Sequence, residues 1–238
     1  MRARRLLDLG SGTLRVTPWR GDEAIAHLTP YTRRPFTSGR LRQVLDQLRF
    51  DGFDQAVTSA LSPTEQKPFL ECGFSPRHQL VLLQHRLQDL ESNRSVALRR
   101  GRRRDRDTAL SIDAQAFTGF WTLDRTGLED AISATPSSRF RLALDPGPVG
   151  YAVCGRAGDA GYLQRLAVDP ACRRRGIGRS LVADGLGWMA RRGARCGFVN
   201  TADDNQGAID FYLRLGFEQL PDGLAVLEGQ LTGAHDRT

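Results

Sequence analysis

A turn rich in glycine and arginine carries the clearest chemical signal in the chain. It reads Arg173-Arg-Arg-Gly176-Ile-Gly178-Arg179 and lies between a predicted strand and a predicted helix. The unpaired N–H groups at a helix start attract anions, and glycine lets the backbone approach a phosphate closely. The turn lacks the third glycine of the dinucleotide fingerprint and the Gly-Lys-Ser/Thr of a P-loop, so alone it predicts only a phosphate-binding turn.

A second pattern follows a further predicted strand. Asn205 precedes an amphipathic segment that Gly216-Phe217 ends, which is typical of a short helix with a glycine stop. One face of this helix is predicted to carry Ala208, Phe211, Tyr212 and Leu215. Tyr212 is therefore either a core aromatic or a phenol placed for chemistry.

Taken together, the two patterns resemble motifs A and B of the GNAT superfamily of acetyl-CoA-dependent N-acetyltransferases. Leu166-x-Val168 and then Arg173-x-x-Gly176-x-Gly178 resemble motif A. The run from Asn205 through Phe211-Tyr212 to Gly216-Phe217 resembles motif B. The resemblance covers about residues 96–232. It implies an α/β (α+β) fold with a mixed, mostly antiparallel GNAT-like sheet flanked by helices.

The resemblance implies a cofactor role for each matching position. The cosubstrate would be acetyl-CoA, and Asn205 would hold the pantetheine end. The backbone of Leu166 and Val168 would pair with the acetyl group and the pantetheine arm, where two strands splay apart. The loop positions that would bind the CoA diphosphate are Arg173, Arg174, Gly176, Gly178 and Arg179.

The resemblance also implies the catalytic groups. Tyr212 would protonate the departing CoA thiolate, which a neutral phenol does only in a preorganised site. The N–H of Leu166 would stabilise the oxyanion. Members of this family often place a Glu on the third strand as base, but that strand here reads Tyr162-Leu-Gln164-Arg165-Leu-Ala-Val. Either Tyr162 or Gln164 orders a water that takes the proton, or the base is elsewhere.

Three carboxylates are the candidates for a base on another element, namely Asp124, Glu129 and Asp203. Phe120 and Trp121 lie where the acceptor-site loop of the family usually falls. Their rings are predicted either to line the acceptor pocket or to belong to the core.

The first half contains a weaker copy of the pattern. In that register Thr37 takes the place of Gly176, Ser62 that of Asn205, and Phe69 that of Tyr212. Phe69 has no proton to give. We therefore expect a degenerate GNAT-like domain over 1–92, followed by the catalytic domain over 96–232. The glycines of Asp8-Leu-Gly10-Ser-Gly12 predict a hairpin turn, because the residues after them read as a strand.

Composition limits the remaining classes. The 238 residues carry 34 Lys plus Arg against 27 Asp plus Glu, a net charge of +7. No apolar run is long enough to cross a membrane, and Asp8 interrupts any apolar signal segment, so a cytoplasmic location is expected. The scattered cysteines and histidines predict no metal site. Arg99–Arg106 holds six arginines without interleaved aromatics, which favours a solvated strand end and loop over a nucleic-acid or phosphate patch.

The sequence therefore predicts an N-acetyltransferase acting on a primary amine in a ternary complex. The acceptor is either a small amine or amino-acid-like metabolite, or a protein or peptide amine. The alternative is a non-catalytic acyl-CoA sensor or scaffold. Such a protein would keep the phosphate turn but need no acid, so Tyr212 argues against it.

Overall fold

The computed structural model describes residues 5–32, 36–88, 90 and 95–231. The described strands are β1 (Arg5–Asp8), β2 (Gly12–Trp19), β3 (Asp22–Thr32), β4 (Gln55–Thr58), β5 (Ser75–His85), β6 (Ala97–Arg100), β7 (Ser137–Leu144), β8 (Pro148–Ala157), β9 (Ala160–Val168), β10 (Cys196–Ala202), β11 (Glu218–Gln219) and β12 (Leu224–Gln230). The helices are α1 (Ser38–Phe50), α2 (Pro63–Leu70), α3 (Arg106–Ala116), α4 (Arg125–Ser133), α5 (Ile177–Arg191) and α6 (Gln206–Leu213).

These elements form two compact units that interleave along the chain. Unit 1 contains the described residues up to Leu82, together with Asn200–Gln206 and residues 220–231. Unit 2 contains the described part of Leu83–Val199 together with Gly207–Gln219. No helix in the described part of the chain is long and apolar enough to cross a membrane.

Unit 1 is built on a sheet with the strand order β1-β2-β3-β4-β12-β5. The hairpin predicted at Gly10 is confirmed, because β1 and β2 pair antiparallel from Arg5–Val16 to Asp8–Thr13. β3 and β4 run parallel, with α1 between them in sequence. β12 comes from the far end of the sequence and pairs antiparallel with both β4 and β5.

The core of unit 1 follows from simple periodicity. α1 buries Leu41, Val44, Leu45 and Leu48, which is the i, i+3, i+4, i+7 spacing of a helix that packs on one face. Ala225 and Leu227 of β12 join the same hydrophobic cluster and are fully buried. The last strand of the sequence is therefore part of the first unit's core.

Unit 2 contains a sheet with the order β10-β9-β8-β7-β6. All neighbours are antiparallel except β9 and β10, which run parallel. β11 pairs separately with the end of β5, through Gln84 and Leu83. The predicted mixed, mostly antiparallel sheet flanked by helices is confirmed.

Side-chain alternation along β8 places helices on both faces of this sheet. Tyr151 and Val153 share a cluster with Ile112 of α3. Cys154 points to the other face, where its Sγ lies 2.6 Å from the position that a Cβ on Gly185 of α5 would occupy. Because successive strand residues face opposite sides, one strand packs against both helices.

Candidate functional site

The site is built around β9, whose two edges differ. On one side β9 pairs with β8 along its whole length. On the other it pairs with β10 only from Ala160 to Tyr162, so the strands part after Tyr162 and Phe198. Leu166 and Val168 therefore lie in a stretch of β9 whose second edge has no strand from the described residues. Their backbone groups can bind an extended ligand there.

A register shift marks the same stretch of β9. Val153 pairs with Arg165 and Cys154 with Leu163, so Gln164 is the extra residue of a bulge. Bulges re-aim side chains and bend the strand next to many active sites. The side chains of Gln164 and Thr135 both lie against Gly155. A Cβ on this glycine would be 2.9 Å from Gln164 Nε2 and 2.3 Å from Thr135 Oγ1.

The predicted phosphate turn follows β9 directly. After a short 3-10 turn over Pro170–Cys172, Arg174 and Gly176 adopt left-handed backbone conformations with φ of 63° and 76°. Gly176 is the N-cap of α5, no side chain caps this helix, and its first turn has no acidic residue. The first amides of α5 therefore have the arrangement that binds an anion.

The arginines of this turn are not equivalent. Arg175 pairs with Asp145 at 2.5 Å, and Arg173 reaches the carbonyl of Ala116 at 3.5 Å. Arg174 is exposed. Arg179 lines a cavity of about 450 Å³ together with Arg214, which follows α6. Positive charge thus extends from the helix start into a neighbouring cavity.

Two further residues fix the shape of the turn. The N–H of Ser95 donates to Ser180 Oγ at 3.1 Å, and the two hydroxyl oxygens lie 3.2 Å apart. A Cβ on Gly176 would come within 2.5 Å of Ser95 Oγ. At Gly178 a Cβ would meet the ring of Phe211 at 3.2 Å. Both glycines are therefore needed for close packing.

Tyr212 is buried on α6. Its ring packs edge-on against Phe211 and Phe217, with centroids 5.2 and 5.4 Å apart. Burial chiefly, and the nearby Cys154 thiol, raise the pKa of Tyr212 above its ordinary value, while Arg165 opposes the shift. The phenol is thus neutral, and able to donate a proton, at any physiological pH. Asn205 lies immediately before this helix, and its N–H donates to the carbonyl of Ala202 at 3.0 Å.

The predicted acceptor residues lie in two places. Phe120 and Trp121 occupy a 3-10 turn after α3 and stack edge-to-face, 5.0 Å apart. Tyr162 sits at the last β9–β10 pair and packs against Phe198 at 5.9 Å. Burial raises the pKa of the Tyr162 phenol.

Sequence reasoning missed the group that holds the segment with Phe117, Phe120 and Trp121, which is the predicted acceptor loop. Arg165 of β9 makes a bidentate ion pair with the fully buried Asp113 of α3, at 2.7 and 2.8 Å. The same guanidinium lies 3.6 Å from the centroid of the Phe117 ring and donates to the carbonyl of Trp121 at 2.6 Å. The lone arginine in the middle of an apolar strand was the available signal, because a buried cation needs a carboxylate partner.

Two of the candidate bases already have structural partners. Asp124 caps α4 by accepting from the N–H of Gly127 at 2.7 Å. Glu129 pairs with Arg106, and this hydrogen bond lowers the pKa of its carboxyl group. A lowered pKa is the opposite of what a base working near neutral pH requires. In the described part of the chain, no group of three His, Cys, Asp or Glu residues is placed to hold a metal ion.

Residues 107–217 match the sequence model of the Acetyltransferase (GNAT) family. The diverging strands and the uncapped helix thus lie in a part of the chain that matches the GNAT acetyltransferase family, and this part is an acyltransferase domain. The resemblance seen in the sequence is confirmed.

Individual relatives agree with this family. The chain is 34% identical over 79 residues to an uncharacterised N-acetyltransferase of Methanocaldococcus jannaschii, a match that spans 30% of this chain and only 35% of that protein. It is 26% identical over 210 residues to the mycothiol acetyltransferase of Amycolatopsis mediterranei, which is 79% of this chain and 69% of that protein. The corresponding enzyme of Rhodococcus jostii is 28% identical over 248 residues, 90% of this chain and 78% of that protein.

Solved structures share the fold. A tandem GNAT protein from the clavulanic acid biosynthesis pathway superimposes with a TM-score of 0.67 at 13% identity, over 94% of this chain and 80% of that one. An acetyltransferase of the GNAT family from Novosphingobium aromaticivorans superimposes with a TM-score of 0.60 at 20% identity, over 95% of this chain and 92% of that one.

Proposed function

We propose that this acyltransferase moves the acetyl group of acetyl-CoA directly to a primary amine within a ternary complex. The amine nitrogen attacks the thioester carbonyl, the C–S bond breaks, and the thiolate leaves with a proton. The amine gives up one proton to water or to a base. The acceptor is a small amine or a peptide amine.

The observation that carries this proposal is the continuity of a free strand edge with an uncapped helix start. β9 offers unpaired backbone groups from Leu163 to Val168, and the chain then turns directly into the amides at the start of α5. A CoA thioester has an extended amide arm that suits the strand and a diphosphate that suits the helix. The cavity beside Arg179 and Arg214 supplies positive charge for the remaining phosphate.

The proposed roles at the reacting atoms follow from this alignment. The N–H of Leu166, two residues after the bulge at Gln164, would stabilise the oxyanion. Tyr212 would protonate the thiolate, since its raised pKa leaves the phenol protonated at neutral pH. The rings of Phe120 and Trp121 would line the amine site.

We also propose that the first half is a degenerate copy of the catalytic half. Phe69 is the seventh residue of α2 and Tyr212 the seventh of α6, and both carbonyls accept an N–H from a phenylalanine five residues later, at 3.1 Å. Thr37 is the N-cap of α1, as Gly176 is of α5. The Thr37 hydroxyl accepts from the N–H of Arg40, so the start of α1 is already capped. Phe69 has no acidic proton to donate.

A thiol-release assay over a panel of amines tests the function, with the mycothiol acetyltransferase acceptor included in the panel. We expect the Tyr212→Phe variant to lose about a hundredfold or more in kcat, the usual contribution of a general acid. Its affinity for acetyl-CoA should stay the same. Tyr31→Phe removes a phenol from an exposed position on β3 and should keep full activity.

Two results would count against the proposal. An unchanged kcat in Tyr212→Phe would show that another group protonates the thiolate. Tight binding of acetyl-CoA without acetylation of any amine would favour the acyl-CoA sensor instead.

A further inference from the structure

A second charged cavity lies in unit 2, away from the phosphate turn. Its volume is about 740 Å³, and its wall is formed by the end of β6, the segment that follows it, the start of β7 and the end of α5. We call it the arginine cleft, because seven of its lining residues are arginines and none is Asp or Glu. α5 separates it from the phosphate turn, and a helix of 15 residues spans about 22 Å.

Three of these arginines form ion pairs with carboxylates that do not line the cleft. Arg139 and Arg141 share Asp184, whose side chain is 1% exposed, with contacts of 2.6 and 3.2 Å from their Nε atoms. Arg106 pairs with Glu129. A guanidinium has five N–H donors, so these ion pairs orient each group and still leave donors that can face the cleft.

The other four arginines have no carboxylate within ion-pair distance in the described chain. They are Arg100, Arg102, Arg103 and Arg192, and all four are exposed. Among the described residues, Asp184 and Glu129 are the carboxylates paired with these seven arginines, which leaves an excess of five positive charges around one cavity. Such a cluster repels itself, and a bound multivalent anion relieves the repulsion.

The backbone is shaped to bring these charges together. Gly101 donates its N–H to the carbonyl of Phe140 at 2.9 Å, and a Cβ on Gly101 would lie 2.2 Å from the Phe140 ring. Only glycine lets the arginine-rich segment cross so close to β7. Asp105 then fixes the turn, since it accepts from Arg99 at 2.7 and 2.8 Å and from the N–H of Arg102 at 2.7 Å.

We propose that the arginine cleft binds a compact oligophosphate, in a site separate from the one that carries out acetyl transfer. The volume lies within the range of small-molecule sites, and the charge excess matches a di- or triphosphate. Arginine forks bind phosphate oxygens in pairs. Phe140 and Trp188, the two aromatic residues of the wall, are 8% and 6% exposed and offer no face for stacked bases, which disfavours single-stranded nucleic acid.

The test is calorimetric titration of the full chain with inorganic tripolyphosphate near 0.15 M salt. We expect saturable binding that the pair Arg102→Ala with Arg192→Ala weakens by roughly tenfold or more, because two charged hydrogen-bond donors are lost. The matched control is Arg104→Ala with Arg191→Ala. Both are exposed neighbours in sequence that do not line the cleft, and the change in net charge is identical. This control should bind as the wild type does.

The same titration distinguishes the sources of the phosphate. ATP that binds more tightly than tripolyphosphate indicates a nucleotide ligand, and equal or weaker binding indicates an inorganic one. Saturating acetyl-CoA should leave the affinity unchanged. The proposal is overturned if tripolyphosphate does not bind, if acetyl-CoA displaces it, or if both variant pairs weaken binding equally. Tighter, cleft-dependent binding of a single-stranded RNA oligonucleotide would replace it with a nucleic-acid site.

Discussion

At the scale of single residues, Asp113 holds together three neighbouring segments of the domain. Its carboxylate is fully buried and accepts from the Arg165 guanidinium, from the Tyr151 hydroxyl at 2.6 Å and from the N–H of Leu123 at 2.8 Å. Burial and this carboxylate raise the pKa of the Tyr151 phenol. Asp113 therefore accepts hydrogen bonds from a guanidinium, a phenol and a backbone N–H at one buried position.

Asp113→Asn should cost about 3–5 kcal/mol of unfolding free energy, because Arg165 is left buried and unpaired. Replacing Arg165 with Met in the same chain should restore part of the loss. Urea denaturation of both single variants and the double variant measures this coupling. Additive losses would contradict the pairing.

Asp105→Asn is the matched control, since Asp105 is also a buried partner of an arginine but does not contact the predicted acceptor loop. Both aspartate variants should lose stability. We expect Asp113→Asn alone to raise KM for the amine, because the partner of Asp113, Arg165, donates to the carbonyl of Trp121.

At the scale of elements, the turn before α5 requires glycine at position 176 for two reasons, its backbone conformation and its close packing. Gly176 has a positive φ and lies against Ser95, whereas Gly158 has a φ of 60° with no neighbour within 4 Å of a Cβ. An alanine at either position costs about 1–2 kcal/mol for the left-handed conformation.

Gly176→Ala should therefore also raise KM for acetyl-CoA by about tenfold, since displaced amides lose charged hydrogen bonds to phosphate. Gly158→Ala should leave this KM unchanged. Steady-state kinetics with acetyl-CoA as the varied substrate compare the two. Equal KM values would place the diphosphate away from this turn.

Elements whose signals are local could be predicted from the sequence. The helix predicted after the turn rich in glycine and arginine is α5, from Ile177 to Arg191, because its apolar spacing and flanking glycines are contiguous in the chain. The bulge at Gln164 and the partner of Arg165 could not be predicted from the sequence. Both depend on which residues of other strands and helices lie next to β9. The individual site roles stay predictions.

The arginine run shows the same limit. The expected strand end and loop are present, as β6 and the turn at Arg103–Asp105. The sequence could not reveal that Arg139, Arg141 and Arg192 face the same cavity, because they lie on β7 and at the end of α5.

At the scale of the whole molecule, the proposed sequence repeat and the compact units divide the chain differently. Residues 1–92 contain the proposed copy with Phe69, but β12 supplies the strand between β4 and β5. We expect residues 1–92 alone to show no cooperative unfolding, because two strands lose their neighbour and Leu227 leaves the core. Linking residues 220–231 to this fragment should restore a transition, and a Leu227→Asp version should not. Circular dichroism during urea titration measures the unfolding transition of each fragment. Cooperative unfolding of residues 1–92 alone would contradict the expectation.

The position of β12 also sets an order of events during biosynthesis. At translation speeds of about 5–20 residues per second, β12 is made on the order of ten seconds after β5. During that interval the edges of β4 and β5 that will face β12 are open to other strands. Of the two units, unit 1 begins to be synthesised earlier than unit 2 but is completed later. Nascent chains are exposed to edge-to-edge association until residues 224–230 have left the ribosome.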